Sequence, residues 1–382
     1  MFDLDVYYIL NKRLVLTGYI ISHYLLYIPI GISYNQPKFS PYASWNPNAI
    51  TFTNSNQIGT NPYNIFINTN NNIYIPNRNN KMILIWNDDN NRIPTRHISI
   101  DSSGFNSIFV TENDDIYIAM STSYFGIEKL PFNSAHSIQI MYSCTECVDI
   151  FIDTSDQIYC SMRDKHQVVR KSPDTVSNII TIVAGTSSNG TSDTMLSNPL
   201  GIFVDINFDL YVADCGNDRI QLFSINQLNG TTVVGSTSPN TTFPLDCPTG
   251  VILDADKYLF IVDQRNHRIV GSGPNGFRCL VGCSGSGNAP NLLNNPTSMA
   301  FDTYGNIYVT DTNNNRIQKF VLLNNTNCKF VKRNRIFILS LSLKSLLTIL
   351  HNFIHQLHGV RMQLLLQTTV LLVQVLEVFI SI

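Results

Sequence analysis

The chain has 382 residues, of which 44% are hydrophobic and only 14% charged, and its net charge is −2. That composition belongs to a globular protein and excludes a disordered polyelectrolyte. The charge is uneven: residues 49–324 hold 16 Lys and Arg against 24 Asp and Glu, a net of −8, whereas residues 325–382 carry +5 and residues 1–48 carry +1. An acidic body is a poor nucleic-acid binder, because Lys and Arg contacts to phosphate supply most of that affinity.

At the N-terminus, Lys12-Arg13 precedes the apolar run Leu14 to Ile30, and Gly31-Ile32-Ser33 places small residues where a signal peptidase reads. Residues 1–33 are therefore expected to be a signal peptide cleaved after Ser33, or a signal anchor, and residues 34–48 a linker. Ala49-Ile50-Thr51-Phe52 reads as a strand.

From about Asn61 a unit recurs. An aromatic near the end of its second strand falls at Tyr74, Tyr117, Tyr159, Tyr211, Phe260 and Tyr308, with gaps of 43, 42, 52, 49 and 48 residues. Six units at this spacing mean a propeller. Unit 4 shows the grammar. Ile202-Phe203-Val204 is a strand, Asp205 to Asp209 a turn, Leu210 to Ala213 a strand, and Arg219 to Phe223 a strand of alternating pattern. Fourth strands follow at Thr181 to Ala184, Thr231 to Val234 and Cys279 to Val281, with none in register after unit 6. The early strand at 49–52 is expected to supply it and close the ring, removing a bare sheet edge.

Units 4 to 6 share a further signature. Asp214 is followed by Arg219, Asp263 by Arg268 and Asp311 by Arg316, whereas units 1 and 3 have Asn77 with Met82 and Met162 with Gln167. Acid and base are kept or lost together, which points to an ion pair bracing the bend between strands two and three, since either charge alone would be stranded. The competing reading is a ligand-binding ring of arginines. In the same loops Arg265, His267, Asn313 and Asn314 are candidate partner contacts.

The cassette Pro-x-Gly…Asp…Asn-x-Arg-Ile resembles the NHL repeat family, with Asn266-His267-Arg268-Ile269 nearest to the motif. The resemblance spans roughly residues 49–324, sharp in units 4 to 6 and degraded in units 1 to 3. It implies an all-β, six-bladed propeller of four-stranded blades. Proteins that resemble this family include an amidating lyase with histidine-held zinc, lactonase-like propellers with axial calcium, and intracellular RNA binders.

Either metal needs ligands converging on the axis from several blades. The inner-strand entries read as Tyr63-Asn64, Phe105-Asn106, Val148-Asp149, Leu200-Gly201, Thr249-Gly250 and Thr297-Ser298, with Asp149 the one carboxylate and no histidine. His97 and His136 lie between units, while His166 and His267 occupy matching loops. The repeated Asp153, Asp205, Asp254 and Asp302 read as turn formers, with a shallow calcium site as the minority reading. Gly282 to Gly287 is a glycine-rich turn without a following helix. The expectation is no catalytic residue and no cofactor, with axial calcium or zinc left open.

Eight cysteines and the Asn-x-Ser/Thr sequons at Asn189, Asn229, Asn240 and Asn324 suggest export. Cys215 and Cys247 are expected to form a disulfide clamping units 4 and 5, while Cys144-x-x-Cys147 reads as a local disulfide or buried thiols. Residues 325–382 lose the repeat grammar and become Leu-rich. A membrane segment, sequence foreign to the native protein and a surface amphipathic helix fit them about equally; the basic flanks argue against a span with the propeller outside. The functional expectation is a secreted or membrane-tethered, monomeric propeller binding a protein or glycan. The alternatives are a propeller hydrolase or lyase with an axial metal, and an RNA-binding regulator.

Overall fold

The computed structural model describes residues 32–325, except 88–92, 101–103, 121–125, 135, 142–146, 174–178, 236–242 and 274, together with the backbone of 15–16 and 19–20. The apolar N-terminal stretch and the Leu-rich tail lie essentially outside the described residues, as do Asn240, Cys144 and Cys328.

Six four-stranded antiparallel sheets are arranged as blades. Blade 4 is typical, with strands Pro199–Val204, Leu210–Asp214, Arg219–Phe223 and Thr231–Gly235 paired in chain order. Blade 6 takes its first three strands from Pro296–Phe301, Ile307–Asp311 and Arg316–Phe320, and its fourth from Ile50–Asn54, which pairs Thr53 with Ile317. This closes the ring as the sequence pattern requires. A second closure was not foreseen: Ser44–Trp45 pairs with Leu322–Asn324, and the Trp45 indole donates to Gly305 O at 2.9 Å.

The middle strands are the most deeply buried, which explains their continuous apolar runs. Leu210–Asp214, Leu259–Asp263 and Ile307–Asp311 are buried at every position. In blades 4 to 6 the hairpin between strands one and two is tied by an acid. Asp205 Oδ1 accepts the N–H groups of Asn207 and Asp209, Asp254 those of Asp256 and Tyr258, and Asp302 those of Tyr304 and Asn306. Asn68 serves the same way in blade 1, toward Asn70 and Asn72.

Blades are joined by a second recurrent device. The last loop residue before strand three is left-handed and offers its side chain as acceptor to the next blade. His166 Nδ1 accepts from Asn198 N–H, Asp218 from Cys247, His267 Nδ1 from Asn295, and Asn315 from Asn61, at 2.8–3.1 Å. Each N–H belongs to the residue before a proline, itself at positive φ. Blades 4 and 5 approach so closely that a Cβ on Gly201 would lie 2.5 Å from Thr249 O.

Residues 34–48 are not a free linker. Tyr34 packs edge-on against Phe109, Phe151 and Phe203, and Phe39 packs against Trp45, Phe260 and Phe301. Isolated aromatics without periodicity carry no strand or helix signal, so their docking is invisible in the sequence pattern.

Candidate ligand site at the axial mouth

The inner strands surround an axial cavity of about 120 Å³. At the hairpin end it is closed. Tyr34 fills the ring of phenylalanines, and Asn35 Nδ2 bridges blades 1 and 6 by donating to Asn68 O at 2.9 Å and Phe301 O at 3.0 Å. Toward the other end the lining turns polar, with Asn64, Ser107, Asp149 and Ser298 beside Gly201 and Gly250, and Tyr63, Val148, Leu200, Thr249 and Thr297 near the rim.

The first strands begin with a bulge, and this shifts one reading. In blade 2 Ser107 pairs with Ala119 and Phe105 with Met120, as Asp149 pairs with Ser161 and Cys147 with Met162 in blade 3. The entry pair of blade 2 is therefore Asn106-Ser107 rather than Phe105-Asn106.

Asp149 is the one carboxylate of the lining, and both its oxygens are engaged. Oδ1 accepts from Ser107 Oγ at 2.6 Å and Oδ2 from Ile202 N–H at 3.0 Å. Burial pushes its carboxyl above the ordinary range, opposed by these hydrogen bonds. Among the described residues no group of three His, Cys, Asp or Glu could hold a metal ion. This donor set does not fit a three-histidine zinc or a multi-carboxylate calcium centre.

Against the rim residue Tyr63 lies a cation that sequence reasoning missed. Arg78, the residue after Asn77 at the end of the second strand of blade 1, turns inward. Its Nε donates to Phe105 O at 2.6 Å, its Nη2 to Asn106 Oδ1, and its guanidinium carbon lies 4.8 Å from the Tyr63 ring centre. Arg163 holds the corresponding place in blade 3, near enough for its charge to act on Tyr63. Burial raises the Tyr63 phenol, opposed first by Arg78 and then by Arg163, and it lowers Arg78 itself. In blade 4 the same position is Cys215, directly after Asp214.

The three Asp and Arg pairs face into the loops. Arg219 Nε reaches Asp214 Oδ2 at 2.7 Å, Arg268 reaches Asp263 at 2.8 Å, and Arg316 reaches Asp311 at 2.7 Å. Each acid also accepts a backbone N–H, from Ser197, Asp246 and Asn294, and a side-chain amide, from Asn217, Asn266 and Asn314. Arg219 further donates to Thr191, Ser192 and Met195 carbonyls, and Arg316 to those of Asn288, Ala289 and Leu292. These arginines are spent on the fold and form no ligand-facing ring.

Of the four loop residues read as partner contacts, His267 and Asn314 are held by internal bonds, to Asn295 N–H and to Gly287 O and Asp311. Arg265 is exposed beside Asp246 at 3.6 Å, and Asn313 is exposed with its amide toward Asn294 Oδ1. Cys215 and Cys247 are joined at the rim by a disulfide, and Cys279 is joined to Cys283. Cys147 is bonded to Cys160 across strands one and two of blade 3, not to a neighbour in its own loop. Asn189, Asn229 and Asn324 are exposed. Among the described residues no helix is long and apolar enough to cross a membrane.

The NHL repeat pattern matches residues 293–320, the core of blade 6. A sequence comparison with curated proteins finds no match. Among solved structures, an auxiliary nutrient binding protein from Bacteroides ovatus is similar with a TM-score of 0.57 at 15% identity, covering 77% of this chain and 76% of that one. A protein of unknown function from Bacteroides thetaiotaomicron gives 0.58 at 14%, covering 72% and 76%. Virginiamycin B lyase from Staphylococcus aureus gives 0.50 at 14%, covering 74% and 100%. At these identities the likeness is one of fold. The chain is a six-bladed β-propeller that carries an NHL repeat.

Proposed function

We propose that this propeller is a non-catalytic binding module outside the cell, secreted or membrane-tethered, that holds a protein or glycan ligand at its axial mouth. The observation that carries this reading is the cavity itself, with Tyr34 packed into one end and Tyr63, Leu200 and Thr249 lining the other, where Arg78 stacks on Tyr63. Its only carboxylate is buried, and each oxygen accepts a hydrogen bond from a neighbouring blade, which suits it to shape the wall. The disulfides support an oxidising compartment. Exposed Asn189, Asn229 and Asn324 are suited to carry glycans there. The nutrient-binding neighbour is consistent with a ligand-holding propeller, by analogy of fold alone.

The test is binding to glycan and peptide arrays by the full chain and by Leu200→Trp, which fills the rim. The expected result is a ligand lost with Leu200→Trp and kept with a substitution of exposed Ile182 on an outer strand. A ligand indifferent to Leu200→Trp refutes the mouth as its site.

A further inference from the structure

We propose that Arg78 receives a carboxylate of the ligand held at the axial mouth, carried on an inserted group no larger than about one sugar ring. The inference rests on the mouth being the binding site and names the chemistry it takes.

A guanidinium withdrawn from water is costly unless an anion or a full set of acceptors compensates it. The loop arginines show what compensation looks like in this fold: Arg219, Arg268 and Arg316 each meet a buried aspartate within 2.8 Å. Arg78 is half-buried, and its partners are one carbonyl, one amide oxygen and the face of Tyr63, all neutral. Among the described residues no carboxylate lies within ion-pair distance of it. Asp149 does not serve, because its oxygens are taken by Ser107 and Ile202, and burial favours its neutral form.

The backing is also directional. Nε and Nη2 are fixed by blade 2, and the ring of Tyr63 lies against the guanidinium, while Nη1 meets no acceptor among the described residues. A pre-oriented guanidinium is suited to a carboxylate, and orientation by protein groups lowers the entropy cost of recognition. Tyr63, on which Arg78 stacks, lines the axial space of about 120 Å³, which limits the inserted group to a single small ring or side chain.

The experiment is calorimetric titration of the full chain with glucuronate, acetate and neutral glucose, repeated on Arg78→Gln, Arg78→Lys and Leu200→Trp. Expected is saturable binding of an acid without binding of glucose, weakened about tenfold or more in Arg78→Gln. Arg78→Lys, which keeps the charge but not the fork, is expected to fall between, and it serves where Arg78→Gln unfolds on melting. Binding of glucuronate alone assigns a sugar acid, and equal binding of acetate assigns the bare carboxylate. Failure of both acids to bind, or equal affinity in wild type and both Arg78 variants, overturns the proposal. An array ligand blocked by Leu200→Trp yet unchanged by both Arg78 variants overturns it while leaving the mouth as the binding site. Acid binding unchanged by Leu200→Trp overturns both.

Discussion

Replacing Arg219 by alanine is the sharpest test of how the blades are braced. The Arg219 side chain is 1% exposed and Asp214 is 0% exposed. Its guanidinium gives one bond to Asp214 and three to loop carbonyls at Thr191, Ser192 and Met195. Removing it leaves a buried carboxylate without its cation, a change that costs about 3–5 kcal/mol in comparable buried pairs. Arg268 offers an internal control: its side chain is 21% exposed, it meets one carbonyl, and it rests on the Phe243 ring. Its loss to alanine should cost about 1–3 kcal/mol. Urea unfolding of both variants, of Asp214→Asn, and of the double variant Arg219→Ala with Asp214→Asn measures the order and the coupling. The expected order is Arg219 above Arg268, with the double variant less destabilised than the sum of its single changes. Strict additivity, or a smaller loss at Arg219 than at Arg268, would refute the account of these residues as a compensated structural pair.

Other consequences are as direct. Replacing both Cys215 and Cys247 by serine opens a 32-residue separation and should lower stability by roughly 3–4 kcal/mol on the chain-entropy relation, read by melting with and without reductant. His267→Leu strands the Asn295 N–H and should cost about 1–3 kcal/mol, whereas His267→Asn keeps an acceptor of the kind Asn315 already provides; equal losses in thermal melts would refute the staple. Asp254 is raised to about 6, chiefly by burial and against its backbone hydrogen bonds. A carboxyl raised on folding binds its proton more tightly in the folded state, so its contribution to stability should grow as pH falls from 7 through about 6 toward 4. Carboxyl-carbon NMR of Asp254 should show the midpoint, and Asp254→Asn should flatten that part of the stability profile.

The blades were legible because the physics that makes them is local. Tyr211 opposite Phe203, the Asp205 turn and the Asp214–Arg219 register pair all arise within one hairpin or its neighbour, and they recur at a fixed spacing. Closure by Ile50–Asn54 was legible because a missing fourth strand and an orphan strand are complementary gaps. The entry pair of blade 2 was not, since Phe105-Asn106-Ser107 lacks the Pro-x-Gly that marks the register in blades 4 and 5. The plug at Tyr34 depends on aromatics from three blades meeting at the axis, a contact with no local trace. Arg78 carries no repeat signal, because its counterparts in blades 4 to 6 are Cys215, Gln264 and Thr312, and its place against Tyr63 depends on contacts between blades.

The central claim is that this mouth recognises a ligand and does not catalyse on a bound metal. Elemental analysis of the purified full chain, secreted and exchanged into metal-free buffer, tests it most directly. The account expects zinc and calcium well below about one equivalent, with no change in Asp149→Asn, because the axial donor set lacks the converging ligands such a site needs. About one equivalent of either metal, retained by the wild type and lost in Asp149→Asn, would contradict it.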